Sequence, residues 1–93
     1  MRFRTPAFLA LYRKSETEDT RIGFAISKKK LPLAKDRNHF RRIARESFRY
    51  HLFNQFAVDI VIIAYADAQN LDNTTLFNAF EKTWLKIDQY CKK

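Results

Sequence analysis

Ninety-three residues leave room for one domain, spanning 1–93, and one modest core. Eighteen Lys and Arg stand against ten Asp and Glu, for a formal charge of +8, while 15% of the residues are aromatic. A chain so rich in aromatics folds rather than remaining a disordered basic tail, and the charge calls for an anionic partner: nucleic acid, an acidic protein or a membrane surface.

In chain order, the N-terminal stretch MRFRTPAFLALYRK has charges close on both sides of a short apolar segment and lacks the apolar core and cleavage site of a signal peptide. Residues 5–14 read as a strand, with Pro6 suited to its first position and Ala7, Leu9 and Leu11 opposite Phe8, Ala10 and Tyr12. The polar segment 15–20 has hairpin length, so a second strand, 21–27, is expected to pair antiparallel with the first. In that strand Ile22, Phe24 and Ile26 share the core face, and Gly23, Ala25 and Ser27 share the other. A face of small side chains serves equally well as a shallow cleft or as the seat of a packed helix.

A basic connection, 28–36, contains the helix-incompatible Pro32. A helix is expected from about Ala34 to Leu52, with Phe40, Ile43, Ala44, Ser47 and Phe48 on its apolar stripe. Arg37, Arg41, Arg45 and Arg49 recur every four residues and line one side; Glu46 is placed to pair with Arg42 or Arg49. Like charges at that spacing repel, so folding alone does not account for them, whereas a bound polyanion does. Residues 21–50 hold ten basic side chains and two acids, and the rest of the chain is neutral. The whole charge excess therefore lies in one contiguous third.

Residues 58–66 read as a central strand with apolar residues on both faces, broken at Asp59 and far too short to span a bilayer. A loop leads to a last helix with Asp72 as N-cap, a staple of Leu71 and Leu76, and a buried stripe of Leu76, Phe80, Trp84 (or Thr83) and Ile87. Trp84 reads as core rather than a base-stacking platform. Cys91, the only cysteine, excludes an internal disulfide and a cysteine-rich zinc site; it reads as a tolerated tail residue rather than a nucleophile, in a reducing cytoplasm. The order β-β-α-β-α makes a compact α+β domain. No phosphate-cradling glycine loop is present, Gly23 being the only glycine, and His39 and His51 have no metal-binding constellation around them.

Residues 27–49, SKKKLPLAKDRNHFRRIARESFR, are more specific than composition. They resemble the basic signature of the bacterial ribonuclease P protein subunit: a lysine pair (Lys28, Lys29) after a strand, an Arg-Asn-Arg motif opening a helix (here Arg37, Asn38, His39), a basic pair (Arg41, Arg42) and Arg45-Glu46. RIGFAIS, VDIVIIA and NLDNTTLFNAFEKTW are similar to the family's flanking strands and last helix. The resemblance implies the ribosomal protein S5 domain 2-like fold, with a left-handed β-α-β crossover that no general rule would supply.

It also implies a function. A catalytic RNA, with magnesium ions that it mainly holds itself, removes the 5′ leader of precursor tRNA by phosphodiester hydrolysis. The small protein contributes no catalytic residue and no tight metal site; it binds the RNA and holds the leader extended. RNA contacts then fall to Lys28, Lys29, Lys35, Arg37, Asn38, His39, Arg41, Arg42 and Arg45. The leader cleft falls to Leu11 or Tyr12, with Ala25, Ser27, Arg37, Asn38 and Tyr65. The partners are the ribonuclease P RNA and precursor tRNA, with no membrane and no small-molecule substrate. Three departures stand out: Met1 directly precedes the first strand, as in a chain shortened of the family's N-terminal helix; His39 replaces the motif's final arginine; and Tyr65 stands where the family often has a basic residue. Fold and charge alone would also suit a ribosomal or assembly protein that binds structured RNA without a role in cleavage.

Overall fold

The computed structural model describes residues 1–16, 19–50 and 57–91, residue 50 by its backbone alone. Four strands, β1 (Arg2–Arg4), β2 (Phe8–Lys14), β3 (Arg21–Ala25) and β4 (Val58–Ala64), accompany two helices, α1 (Ala34–Tyr50) and α2 (Asn73–Cys91). A short 3-10 helix, Ala66–Asn70, takes the last residue of the expected 58–66 strand and the start of the loop before α2. The sheet order is β1-β2-β4-β3. β1 and β4 both run antiparallel to β2, and β3 runs parallel to β4, joined to it through α1 as a β-α-β unit. No helix among the described residues is long and apolar enough to cross a membrane.

The order β-β-α-β-α is thus observed with one strand added in front and one pairing changed. Arg2–Arg4 forms β1, and Thr5 and Pro6 belong to its turn into β2 rather than to the strand. Thr5 Oγ1 accepts from the backbone N–H of Ala7 and Phe8 at 3.1 and 3.0 Å, and Thr5 N donates to Phe8 O at 2.9 Å. The expected hairpin between 5–14 and 21–27 does not form, because β4 lies between the two strands. β4 is the most apolar strand and takes the centre, where it is hydrogen-bonded on both edges. Ser15 and Thr20 both bond to its start: Ser15 N donates to Ala57 O and Val58 N to Thr20 Oγ1. The expected extension of α1 to Leu52, and His51, lie outside the described residues.

The core sits on one face of the sheet. Phe8, Ala10 and Tyr12 of β2 and Val58, Ile60, Ile62 and Ala64 of β4 are buried there under α1 and α2. Both faces of β4 were expected to be covered, but only this one is; Asp59, Val61 and Ile63 occupy the open face. Phe8 stacks on Phe80 at 4.3 Å between centroids, Phe40 meets Phe80 edge-on at 5.3 Å, and Phe80 stacks on Trp84 at 5.7 Å. This arrangement joins β2, α1 and α2 through one aromatic cluster. Ile22, Phe24 and Ile26 turn inward as expected but are only partly buried, since β3 is an edge.

Both helices follow their sequence signals. Asp72 caps α2 by accepting from Thr75 N at 2.7 Å, and hydrogen bonding from the Thr75 side chain, then from its backbone, holds the carboxyl below its usual value. The buried stripe of α2 is Leu76, Phe80, Thr83, Trp84, Ile87 and Cys91. Cys91 is therefore a core residue, not a tail residue, and burial pushes its thiol pKa up. Among the described residues α1 and α2 share one buried polar link: Trp84 Nε1 donates to Ser47 Oγ at 2.9 Å, and Ser47 Oγ donates to Ala44 O at 2.9 Å. Replacing Ser47 with Ala strips the buried indole N–H of this acceptor, and the expected loss is about 1–3 kcal/mol in urea unfolding. Leu85→Ala, on the exposed side of α2, is the control and should stay within about 0.5 kcal/mol.

Candidate nucleic-acid interface

The basic surface begins at the end of β3. Ser27 Oγ accepts from the backbone N–H of Lys29 and Lys30 at 3.1 and 3.2 Å, closing a tight turn. Leu31 is buried and anchors the turn, while Lys28, Lys29 and Lys30 stay exposed. Arg37, in the first part of α1, reaches back: its Nη1 donates to Leu31 O at 2.8 Å and to Pro32 O at 2.9 Å. Arg37 thus fixes the turn to the helix. Lys35 is exposed in the first turn of α1.

Along α1, Asn38, Arg41, Arg42, Arg45 and Arg49 line one shallow groove together with Glu46. Arg41 Nη1 donates to Asn38 Oδ1 at 3.3 Å. The Arg45 guanidinium lies 5.6 Å over the ring centroid of Phe24, on neighbouring β3. The expected pairing of Glu46 with Arg42 or Arg49 is absent among the described residues, whereas Asp59 pairs with Arg13 and Arg21 on the sheet. His39 is half-buried and faces α2. Its Nδ1 accepts from Arg42 Nη2 at 3.3 Å, because a guanidinium can only donate. That leaves the ring proton on Nε2, which donates to Asn73 Oδ1 at 2.6 Å. His39 is therefore spent on intramolecular contacts and joins α1 to the start of α2.

The second surface is the open face of the sheet. Of the two first-strand candidates, Leu11 is exposed there, whereas Tyr12 turns to the core and meets Tyr90 edge-on at 5.3 Å. Burial raises the Tyr12 pKa, and the residue is withdrawn from any contact on the open face. Register aligns Leu11 with Val61 and Gly23, and Leu9 with Ile63 and Ala25. A Cβ on Gly23 would meet nothing within 4 Å, so among the described residues the small-residue face is an open floor. At the end of β4 and β3, Ala25, Ser27, Lys30 and Tyr65 line a groove of roughly 450 Å³ with Ile63. Ala25, Ser27 and Tyr65 are thereby brought together as expected. Asn38 belongs to the α1 groove instead.

Sequence reasoning missed Lys30 and the arginines of the sheet. β1 places Arg2 opposite Leu11 and Arg4 opposite Leu9, and Arg13 and Arg21 flank Asp59. Lys30 was detectable as the third member of its run. The strand arginines become neighbours only through register. Among the described residues no three His, Cys, Asp or Glu side chains converge as a metal site.

Comparison with known proteins adds an independent finding. The family model for ribonuclease P matches residues 1–88. The chain is 35% identical to the ribonuclease P protein component of Pseudoalteromonas atlantica over 89 residues, covering 96% of this chain and 74% of that protein. It is 45% identical to that of Histophilus somni over 85 residues, covering 90% and 71%. The fold is similar to that of the Staphylococcus aureus RNase P protein, with a TM-score of 0.80 at 30% identity over 94% of this chain and 79% of that one. It is also similar to the RNase P protein from Thermotoga maritima, with a TM-score of 0.66 at 26% identity over 88% and 82%.

Replacing Arg41 and Arg45 with Ala should weaken binding to structured RNA and flatten its salt dependence. Each lost phosphate contact should lower the slope of log affinity against log salt by roughly 0.7–0.9. Filter binding across a salt series measures this, and an unchanged slope refutes the groove as a phosphate site.

Proposed function

The chain belongs to the ribonuclease P protein family, and we propose that it binds the catalytic RNA through the α1 groove while its open sheet face takes the 5′ leader of precursor tRNA. As a ribonuclease P protein component it is part of a ribonucleoprotein endoribonuclease that acts in tRNA 5′ processing, in partnership with the ribonuclease P RNA. The observation that carries the finer reading is the junction at Ser27–Arg37. There the basic turn, the start of the arginine groove and the mouth of the open face meet.

The division of labour follows from chemistry. Arg41, Arg42, Arg45 and Arg49, with Lys28, Lys29 and Lys35 at the entrance, neutralise phosphates of a folded RNA. Asn38 adds an amide that both donates and accepts. The open face offers a different surface: an apolar floor of Leu9, Leu11, Val61 and Ile63 beside Gly23 and Ala25, with Lys30 and Tyr65 at one end. Apolar floor and flanking cations suit unpaired nucleotides, whose bases need contact area and whose phosphates need charge. Magnesium, in this reading, is held by the RNA, and the protein works in the cytoplasm. The protein's own share is to bind, align and extend.

Reconstitution with the cognate RNA subunit tests the reading. Precursor-tRNA cleavage at low magnesium should be stimulated by the protein, and the stimulation should fall when Arg41 and Arg45 are both Ala. RNA binding with no stimulation would instead support a structural RNA-assembly protein and overturn the leader reading.

A further inference from the structure

One charged cluster on the open face belongs neither to the basic turn nor to α1. Register puts Arg13 of β2, Asp59 of β4 and Arg21 of β3 in a single cross-strand row. Arg21 Nε stands 3.5 Å from Asp59 Oδ1, and Arg13 Nε stands 3.7 Å from Oδ2. Each arginine approaches one oxygen through Nε, so neither makes the two-pronged pairing that would close it off. Oδ1 is buried yet accepts no hydrogen bond, so at 3.5 Å the Arg21 contact is electrostatic only. The side chains of Arg13 and Arg21 are 75% and 65% exposed, against 24% for Asp59. Asp59 is the sunken post between two cations, and the trio keeps a net positive charge. As exposed ion pairs these contacts contribute little to stability.

The surroundings specify a ligand. The next row along the sheet is Leu11, Val61 and Gly23, with Leu11 and Val61 exposed and open space above Gly23. Beyond it lie Leu9, Ile63 and Ala25, then the groove with Lys30. Strand rise puts the Asp59 row about 13 Å from the Ile63 row. Cations therefore stand at both ends of an apolar floor. Arg2 and Arg4 add charge along its β1 edge.

We propose that Arg13 and Arg21, held side by side by Asp59, bind a backbone phosphate of the single-stranded 5′ leader at the end of the open face remote from the Lys28–Lys30 turn. The leader is then gripped at two places, with its bases on the floor between. This inference rests on the leader reading above and assigns that strand a second, distal anchor. A carboxylate-rich protein segment would suit the two cations but would gain nothing from the exposed floor between the two ends.

The test uses the full chain reconstituted with its RNA subunit and precursor tRNAs whose leaders have about two or about ten nucleotides. For the long leader, the double variant R13A/R21A should bind roughly fivefold or more weakly, with the salt slope reduced by about 1.4, the value for two single-strand phosphate contacts. For the short leader its affinity should equal that of the wild type, and R13K/R21K should recover most of the long-leader affinity. An unaffected long leader, or an equal loss with both leaders, overturns the distal site. If the wild type itself does not distinguish the two leaders, the leader reading fails first and takes the distal anchor with it.

Discussion

The stacked aromatics between sheet and helices determine what the rest of the molecule can do. Phe80 touches Phe8 from the sheet, Phe40 from α1 and Trp84 one turn along α2. Large rings need a common dry volume, and the only volume all three elements share is on one side of the sheet. Both helices are therefore drawn to that side. Two consequences follow without further design: the outer side of α1 faces solvent along its length, and the other face of the sheet stays open. The two surfaces that could meet RNA are the two that the aromatic cluster leaves free.

The parts legible in the sequence were those with a local period. The apolar stripe of α1, the stripe of α2 and the Asp72 cap repeat or terminate within one or two turns, so they can be read without knowing their neighbours. Strand partners are set by competition among segments far apart in sequence. The short 15–20 connection argued for a hairpin, yet VDIVIIA outcompetes RIGFAIS for the place beside β2 because it buries more apolar surface in a central position. Three-residue β1 carries too short a pattern to announce itself; it is fixed by the Thr5 turn and by pairing with Leu9–Leu11.

The same distinction separates the site residues. Arg41, Arg42 and Arg45 share a helix face by spacing alone, and the structure keeps them together. Leu11 and Tyr12 are adjacent, so only the face of β2 chosen by the core decides between them, and it selects Leu11. Arg13 and Arg21 sit beyond any sequence pattern, because the Asp59 that unites them is 38 residues past Arg21 and reaches them through register.

The arginines of α1 and its entrance differ in kind from those of the sheet. Arg37 is held by two backbone carbonyls, Arg41 by the Asn38 amide oxygen, Arg42 by the His39 ring and Arg45 by the π face of Phe24. None of these partners is a carboxylate, so the side chains are ordered without an acid to cancel their charge. Ordering a long side chain before binding reduces the conformational entropy lost when the RNA arrives, and an uncancelled charge keeps the full attraction to phosphate. An acidic partner would have ordered the same groups by neutralising them. Seen this way, His39 is more than a weakened arginine. An arginine at that position has no acceptor to offer Arg42 and would repel it, whereas the imidazole accepts from Arg42 and donates to Asn73. The imidazole gives α1 a better-held Arg42 and a tie to α2.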